Sequence, residues 1–252
     1  MVRRHVVLAL TLATATALSA CGGAGNIATG KTSQKQNQAH DAEQVGKLDV
    51  SLLRVVHSDF SAYKSPEALA ADRPIVAAGV IDGWQQGPIL ESYPNGPLDY
   101  RAVLRVRVTE PLKGVKGRES ISNGLIYVEL DQGGVVSDPS IPVDQWKPRK
   151  SIEDFEKALP TGTKILVFPR ERPRHEMPVR SPGAPIPPKA KLMVVPPQGL
   201  VLEDPQLLQR QSGNTTALVG GQERLSAGGE AWSRLKNMSE LIAHLKQKGF
   251  SE

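Results

Sequence analysis

From Tyr100 to Thr109 the chain alternates strictly in polarity, and this stretch constrains the fold more than any other. A period of two places Tyr100, Ala102, Leu104, Val106 and Val108 on one face. It places Arg101, Val103, Arg105, Arg107 and Thr109 on the other. No helix accommodates that pattern, because helical neighbours on one face lie three or four residues apart. The stretch therefore predicts a strand of an antiparallel sheet with one apolar side and one wet side.

The remaining segments agree with a sheet built of short strands. Pro74 opens an apolar, β-branched run from Ile75 to Trp84, punctuated at Gly83. Lys113-Gly114-Val115-Lys116-Gly117 reads as a turn, and Leu125 to Leu130 as a third strand ended by Asp131-Gln132-Gly133-Gly134. Lys164 to Phe168, Leu192 to Val195, Gly199 to Glu203 and Thr215 to Val219 are further short strands. Three helices are predicted. Ser65-Pro66-Glu67 starts one that runs to Ala71, with Ser as cap and Pro at the first turn. Ser151 and Asp154 have the spacing of a capping box for a helix ending at Leu159. The third runs from Ser239 to Lys248, with Leu241, Ile242 and Leu245 on its apolar face and Gly249 as its stop. The expected fold class is mainly β with a few short helices: a small antiparallel barrel or sandwich with a C-terminal helix.

Two segments give that expectation a family resemblance. Ile75-Val76-Ala77-Ala78-Gly79-Val80, followed later by Val106-Arg107-Val108-Thr109-Glu110-Pro111-Leu112-Lys113-Gly114, resembles secreted OB-like barrels, the netrin-like domains among them. The resemblance implies an OB-like fold. The protease-inhibitory activity of netrin-like inhibitors is not implied, because it goes with disulfides and a free N-terminal Cys, and this chain holds one cysteine.

That cysteine is Cys21. It follows Arg3 and Arg4, an uncharged apolar run from Val6 to Ala17, and then Leu18-Ser19-Ala20. The run is shorter than the roughly 20 residues of a membrane span and fits a signal-peptide core. Leu18-Ser19-Ala20-Cys21 resembles the bacterial lipobox. The resemblance implies acylation of the Cys21 thiol and cleavage before it, leaving a 232-residue mature chain. Residue 22 is Gly, so the Asp that resembles an inner-membrane retention signal is missing. Residues 1–20 are then a signal peptide and 21–47 a flexible tether poor in large apolar residues. Residues 48–252 form a single β-rich domain with a proline-rich loop at 169–197, where nine prolines fall in 29 residues. The formal charge of +5 drops to +3 once Arg3 and Arg4 leave with the signal, which removes any electrostatic case for nucleic acid.

Catalytic and metal motifs are sparse. The only Cys is committed to lipid, and neither a GxSxG elbow nor an SxxK or HExxH spacing occurs. His40 falls in the tether. His57, His175 and His244 are the histidines of the domain. His175 sits in the proline-rich loop, a poor platform for a base, and His244 near a helix end reads as a surface residue. Glu153, Asp154 and Glu156 are explained by a helix N-terminus. No metal site is found and no cofactor is implied. Two basic groups remain as candidates for partner binding. One is the strand stripe Arg101, Arg105 and Arg107, which equally suits a solvated face paired with acids such as Glu129. The other is Arg170, Arg172, Arg174, Arg180, Lys189 and Lys191 of the proline-rich stretch, either a recognition arm or a soluble crossover.

The sequence thus points to a lipid-anchored, extracytoplasmic binding or accessory module of the cell envelope. Its expected contacts are the membrane through its lipid, and an envelope protein or anionic envelope polymer. An envelope hydrolase with a spatially assembled site is the alternative. A two-lobed solute-binding protein lacks the necessary length and βαβ rhythm.

Overall fold

A computed structural model describes residues 47–54, 60–210 and 215–252. The signal, Cys21, nearly all of the tether, His40 and His57 lie outside the described residues.

The frame is a hairpin of two 16-residue strands, β1 (Val76–Glu91) and β2 (Leu98–Lys113). Both are longer than their patterns predict. Gly83 does not end β1, because it lies at a register shift, between Ile81 and Gly83, with φ of +152°. A second shift falls between Gln86 and Ile89, around Gly87, whose missing side chain leaves room for the Arg101 carbonyl. Both glycines therefore mark bulges within one bent strand.

The other strands add to this hairpin. β3 (Leu125–Asp131) pairs antiparallel with β2, and β4 (Lys164–Val167) pairs antiparallel with the first half of β1. β5 (Arg170–Glu171), β6 (Val179–Ser181) and β7 (Leu192–Val194) all come from the proline-rich stretch. β8 (Leu200–Glu203) and β9 (Leu218–Gly220) complete the sheet. Its order is β5-β7-β3-β2-β1-β4-β8-β9, with β6 on the distal half of β1. The ends of this order do not pair with each other, so the sheet is a curled half-barrel. One pairing departs from the antiparallel expectation, since β7 runs parallel to β3.

The concave side holds the larger core. Ala102, Leu104 and Val106 of β2 meet Ala77, Ile81, Ile126, Val128, Ile165 and Leu202 there. Helix α2 (Ile152–Ala158) closes it, starting at the expected capping box between Ser151 and Asp154. Phe155 of α2 packs on Trp84 with ring centroids 4.9 Å apart, and the Trp84 indole N–H donates to the Leu159 carbonyl at 3.1 Å.

The opposite side of the sheet is not wet, contrary to the alternation in β2. Over β1, β4 and β8 it carries helices α1 (Pro66–Asp72), α4 (Glu230–Ser233) and α5 (Met238–Gln247), which bury Leu69, Trp232, Leu241 and Leu245. α1 is capped by Ser65, as expected. A further short helix, α3 (Pro205–Gln209), is capped by Asp204, which also accepts a hydrogen bond from the Leu48 N–H at 2.8 Å. Over β2 and β3 the cover is the proline-rich stretch itself. Val103 and Tyr127 are buried there against Ala190, with Ile186 and Leu192 packed alongside. The physical reason is that two apolar residues on a nominally polar face need shielding, and the apolar residues between the prolines supply it. Residues 169–197 are thus a folded layer of the domain and not an excursion from it.

Gly79 shows how closely β1 and β2 approach. A side-chain carbon at this position would stand 2.1 Å from the Arg107 carbonyl oxygen. Gly79→Ala must push the two longest strands apart. It is expected to lower unfolding free energy by about 1–3 kcal/mol, measured by denaturant titration; an unchanged midpoint would contradict the tight pairing.

Candidate functional site

The proline-rich layer meets the sheet at a buried charge cluster. Glu129 lies in the middle of β3, opposite Val103, so its side chain points away from the main core. That side chain is 1% exposed. Neither of its oxygens accepts a hydrogen bond, yet three nitrogen-bearing groups surround it. Arg172 Nε is 3.1 Å from Oε2, His175 Nε2 is 3.3 Å from Oε2, and Arg101 Nε is 3.9 Å from Oε1. Arg101 also pairs with Asp99.

Burial is the largest influence on Glu129 and holds its carboxyl above the usual range, against the opposing pull of Arg172 and Arg101. Asp99 is raised for the same first reason. His175 is shifted the other way, first by burial and then by the charges of Arg172 and Arg101. The cluster therefore favours a protonated carboxyl and a neutral imidazole. Its geometry agrees. Arg172 donates from Nε and Nη2 to His175 Nδ1 at 3.2 and 3.1 Å. A guanidinium cannot accept, so Nδ1 holds a lone pair and the ring proton sits on Nε2.

Beside the cluster is a cleft of about 480 Å³ lined by Arg174, His175, Glu176, Met177, Pro178 and Val179. Val179, together with Tyr93 and Val136, is among the exposed large apolar residues. Val179 lies beside β1, in register with Leu90, three residues before Tyr93 in the β1–β2 turn.

The basic stripe of β2 is internally matched. Arg107 pairs with Asp82, and Arg105 Nε lies 3.4 Å from the same carboxylate. Arg101 faces Glu129 and Asp99, so the expected pairing with a neighbouring acid describes this stripe. The proline-rich cations divide. Arg172 is half-buried on Glu129. Lys191 binds Glu171 at 2.8 Å, and Arg118 and Ser120 add contacts at 3.1 and 2.7 Å. Hydrogen bonds from Lys191 and then Ser120 pull Glu171 down to about 2. Lys189 reaches Glu119 at 3.3 Å, and Arg180 lies 3.9 Å from both Glu91 and Asp144. Arg170 and Arg174 are exposed and have no ion pair among the described residues.

Sequence reasoning placed His175 on a mobile loop. It is instead fixed, with 13% of its side chain exposed, because Arg172 three residues earlier orients its ring. His244 bonds Glu67 at 3.0 Å, tying α5 to α1 at the surface. The signal that identifies the cluster in sequence is Glu129 itself, a lone acid inside an otherwise apolar strand. Among the described residues, no group of three His, Cys, Asp or Glu side chains is placed to hold a metal. No family model matches the chain, and neither a curated protein nor a solved structure matches it.

The sign of the Glu129 effect is testable. A carboxyl raised in the folded state contributes stability below its unfolded value near 4.5 and loses it as pH rises through the folded value. Glu129→Gln has no such loss. Its unfolding free energy relative to the natural protein is expected to climb between pH 4.5 and 8 in parallel denaturant titrations. A difference that is flat or falls with pH would contradict the raised carboxyl.

Proposed function

We propose that this chain is a bacterial lipoprotein, anchored through Cys21 to the extracytoplasmic face of a membrane. Its β-rich domain serves as a non-catalytic binding or accessory module of the envelope. The observation that carries the reading is Leu18-Ser19-Ala20-Cys21 placed directly after a basic start and an uncharged apolar run. A buried lipid chain contributes ~0.8 kcal/mol per CH₂, so two or three chains on one residue hold a domain stably at a membrane.

For partner contact, the distribution of charge favours a narrower surface than the sequence did. Arg101, Arg105, Arg107, Arg172 and Lys191 are engaged by acids of the same chain. Arg170 and Arg174 remain exposed, and Arg174 borders the cleft whose other wall includes Met177 and Val179. A protein surface with an apolar patch rimmed by acidic groups suits this end of the domain best.

A hydrolase is the second reading, and one observation favours it. His175 stands beside a buried carboxyl at the edge of a cleft, a pairing that general acid–base chemistry uses. The binding reading is preferred because both ring nitrogens of His175 are already engaged, one by Arg172 and one facing Glu129.

Intact-mass and peptide analysis of the membrane-extracted protein tests the anchor. A mature chain beginning at an acylated Cys21 is expected, partitioning into detergent. Cys21→Ala should accumulate as the unprocessed precursor. A free Cys21 thiol in membrane-extracted protein, or cleavage at another position, would refute the proposal.

A further inference from the structure

Residues 172–179 pass over Glu129 and are bonded by backbone to the sheet at their two ends. The Arg172 N–H donates to the Leu192 carbonyl at 2.8 Å, and the Glu91 N–H donates to the Pro178 carbonyl at 2.9 Å. Between those points the polar attachment is His175. Its neutral ring connects two groups that would otherwise face each other with little between them. Nδ1 takes both Arg172 donors, and the Nε2 proton lies toward Glu129.

A second proton on the ring cannot be accommodated in this arrangement. Nδ1–H would point at two N–H groups of a guanidinium 3.1 to 3.2 Å away, and no lone pair would remain to receive them. The other charged groups do not relieve the conflict. On β2, Asp99 is engaged by Arg101, and Arg101 adds a further positive charge beyond Glu129. On β3, the Asp131 carboxylate accepts from the Gly133 N–H at 2.6 Å. On the segment itself, Arg174 and Glu176 are exposed to solvent. Glu129 is thus the one acid in contact with the ring, and it takes the first proton that the pair receives.

We propose that residues 172–179 are an acid-released strap: the Glu129–His175 pair seats it while holding one proton, and the second proton, at His175 Nδ1, lifts it from β3 and opens the cleft.

The two groups act with opposite signs. The imidazole is held below 6.5 when seated, so its contribution to seating is complete above 6.5 and is lost as pH falls through the seated value. The carboxyl is held above 4.5, so its contribution is complete below 4.5 and is lost as pH rises. In the natural protein the carboxyl absorbs the first proton and delays release. With that carboxyl removed, release begins as soon as a free imidazole titrates. This consequence is independent of the lipid anchor.

Hydrogen exchange on the full chain between pH 7.5 and 4.5 tests the strap. Protection factors, corrected for the intrinsic pH dependence, are compared between amides 172–179 and reference amides 102–106 of β2. The natural protein should lose strap protection toward the acid end while the reference holds. Glu129→Gln should begin losing it near pH 6.5, by up to about tenfold per pH unit. His175→Asn keeps an acceptor near the Nδ1 position without titrating, and should stay protected throughout. Strap protection that is independent of pH in both the natural protein and Glu129→Gln would overturn the proposal. So would loss in His175→Asn equal to that of the natural protein.

Discussion

The antiparallel pairing of β1 with β2 is the constraint from which the rest of the domain follows. Two 16-residue strands in register from Val76–Lys113 to Glu91–Leu98 are too long for one core to cover. The half near β4 and β8 is sandwiched between the main core and the helices α1, α4 and α5. The distal half has the main core on one side and no helix on the other. Val103 and Tyr127 on that second side still require burial, and the only apolar cover brought to them is the stretch around Ile186, Ala190 and Leu192. Folding the proline-rich stretch onto β3 is therefore a packing requirement before it is anything else. Its prolines suit the task, because they fix an extended backbone with few donors to leave unsatisfied.

That layer brings charge with it. Arg172 and His175 arrive beside Glu129, which the β3 register has turned away from the main core. A buried carboxyl without hydrogen bonds is costly unless it is protonated or compensated. Here it has both remedies within reach: two guanidiniums in ion-pair range and an adjacent imidazole. The cluster is where this domain departs most from an apolar interior, and it lies beside the cleft of the described domain.

Much of the architecture was legible in the sequence because its signals are local. The Ser65 and Ser151 caps, the alternation in β2, the short strands at 125 and 164 and the Gly249 stop each depend on a few neighbouring residues. What was not legible depended on partners distant in sequence. Gly83 looks like a strand end until the bulge opposite Arg105 is known. β5 and β6 are two and three residues long, below what any periodicity resolves. The wet face inferred from Arg101, Arg105 and Arg107 failed at Val103, whose cover begins more than 80 residues later. The candidate cluster was visible only as fragments. Glu129 was noted as a partner for the stripe, while Arg172 and His175 were assigned to a loop that gave no reason for them to meet it.

The central claim is that the proline-rich layer is held to the sheet through the Glu129 cluster as an integral part of the fold. A double-mutant cycle on Glu129→Gln and Arg172→Gln, measured by equilibrium unfolding at pH 8 where the carboxyl is driven toward its ionised form, tests it most directly. A favourable coupling energy of about 0.5–3 kcal/mol is expected for two side chains in contact inside one network. Strict additivity of the two substitutions would contradict the claim.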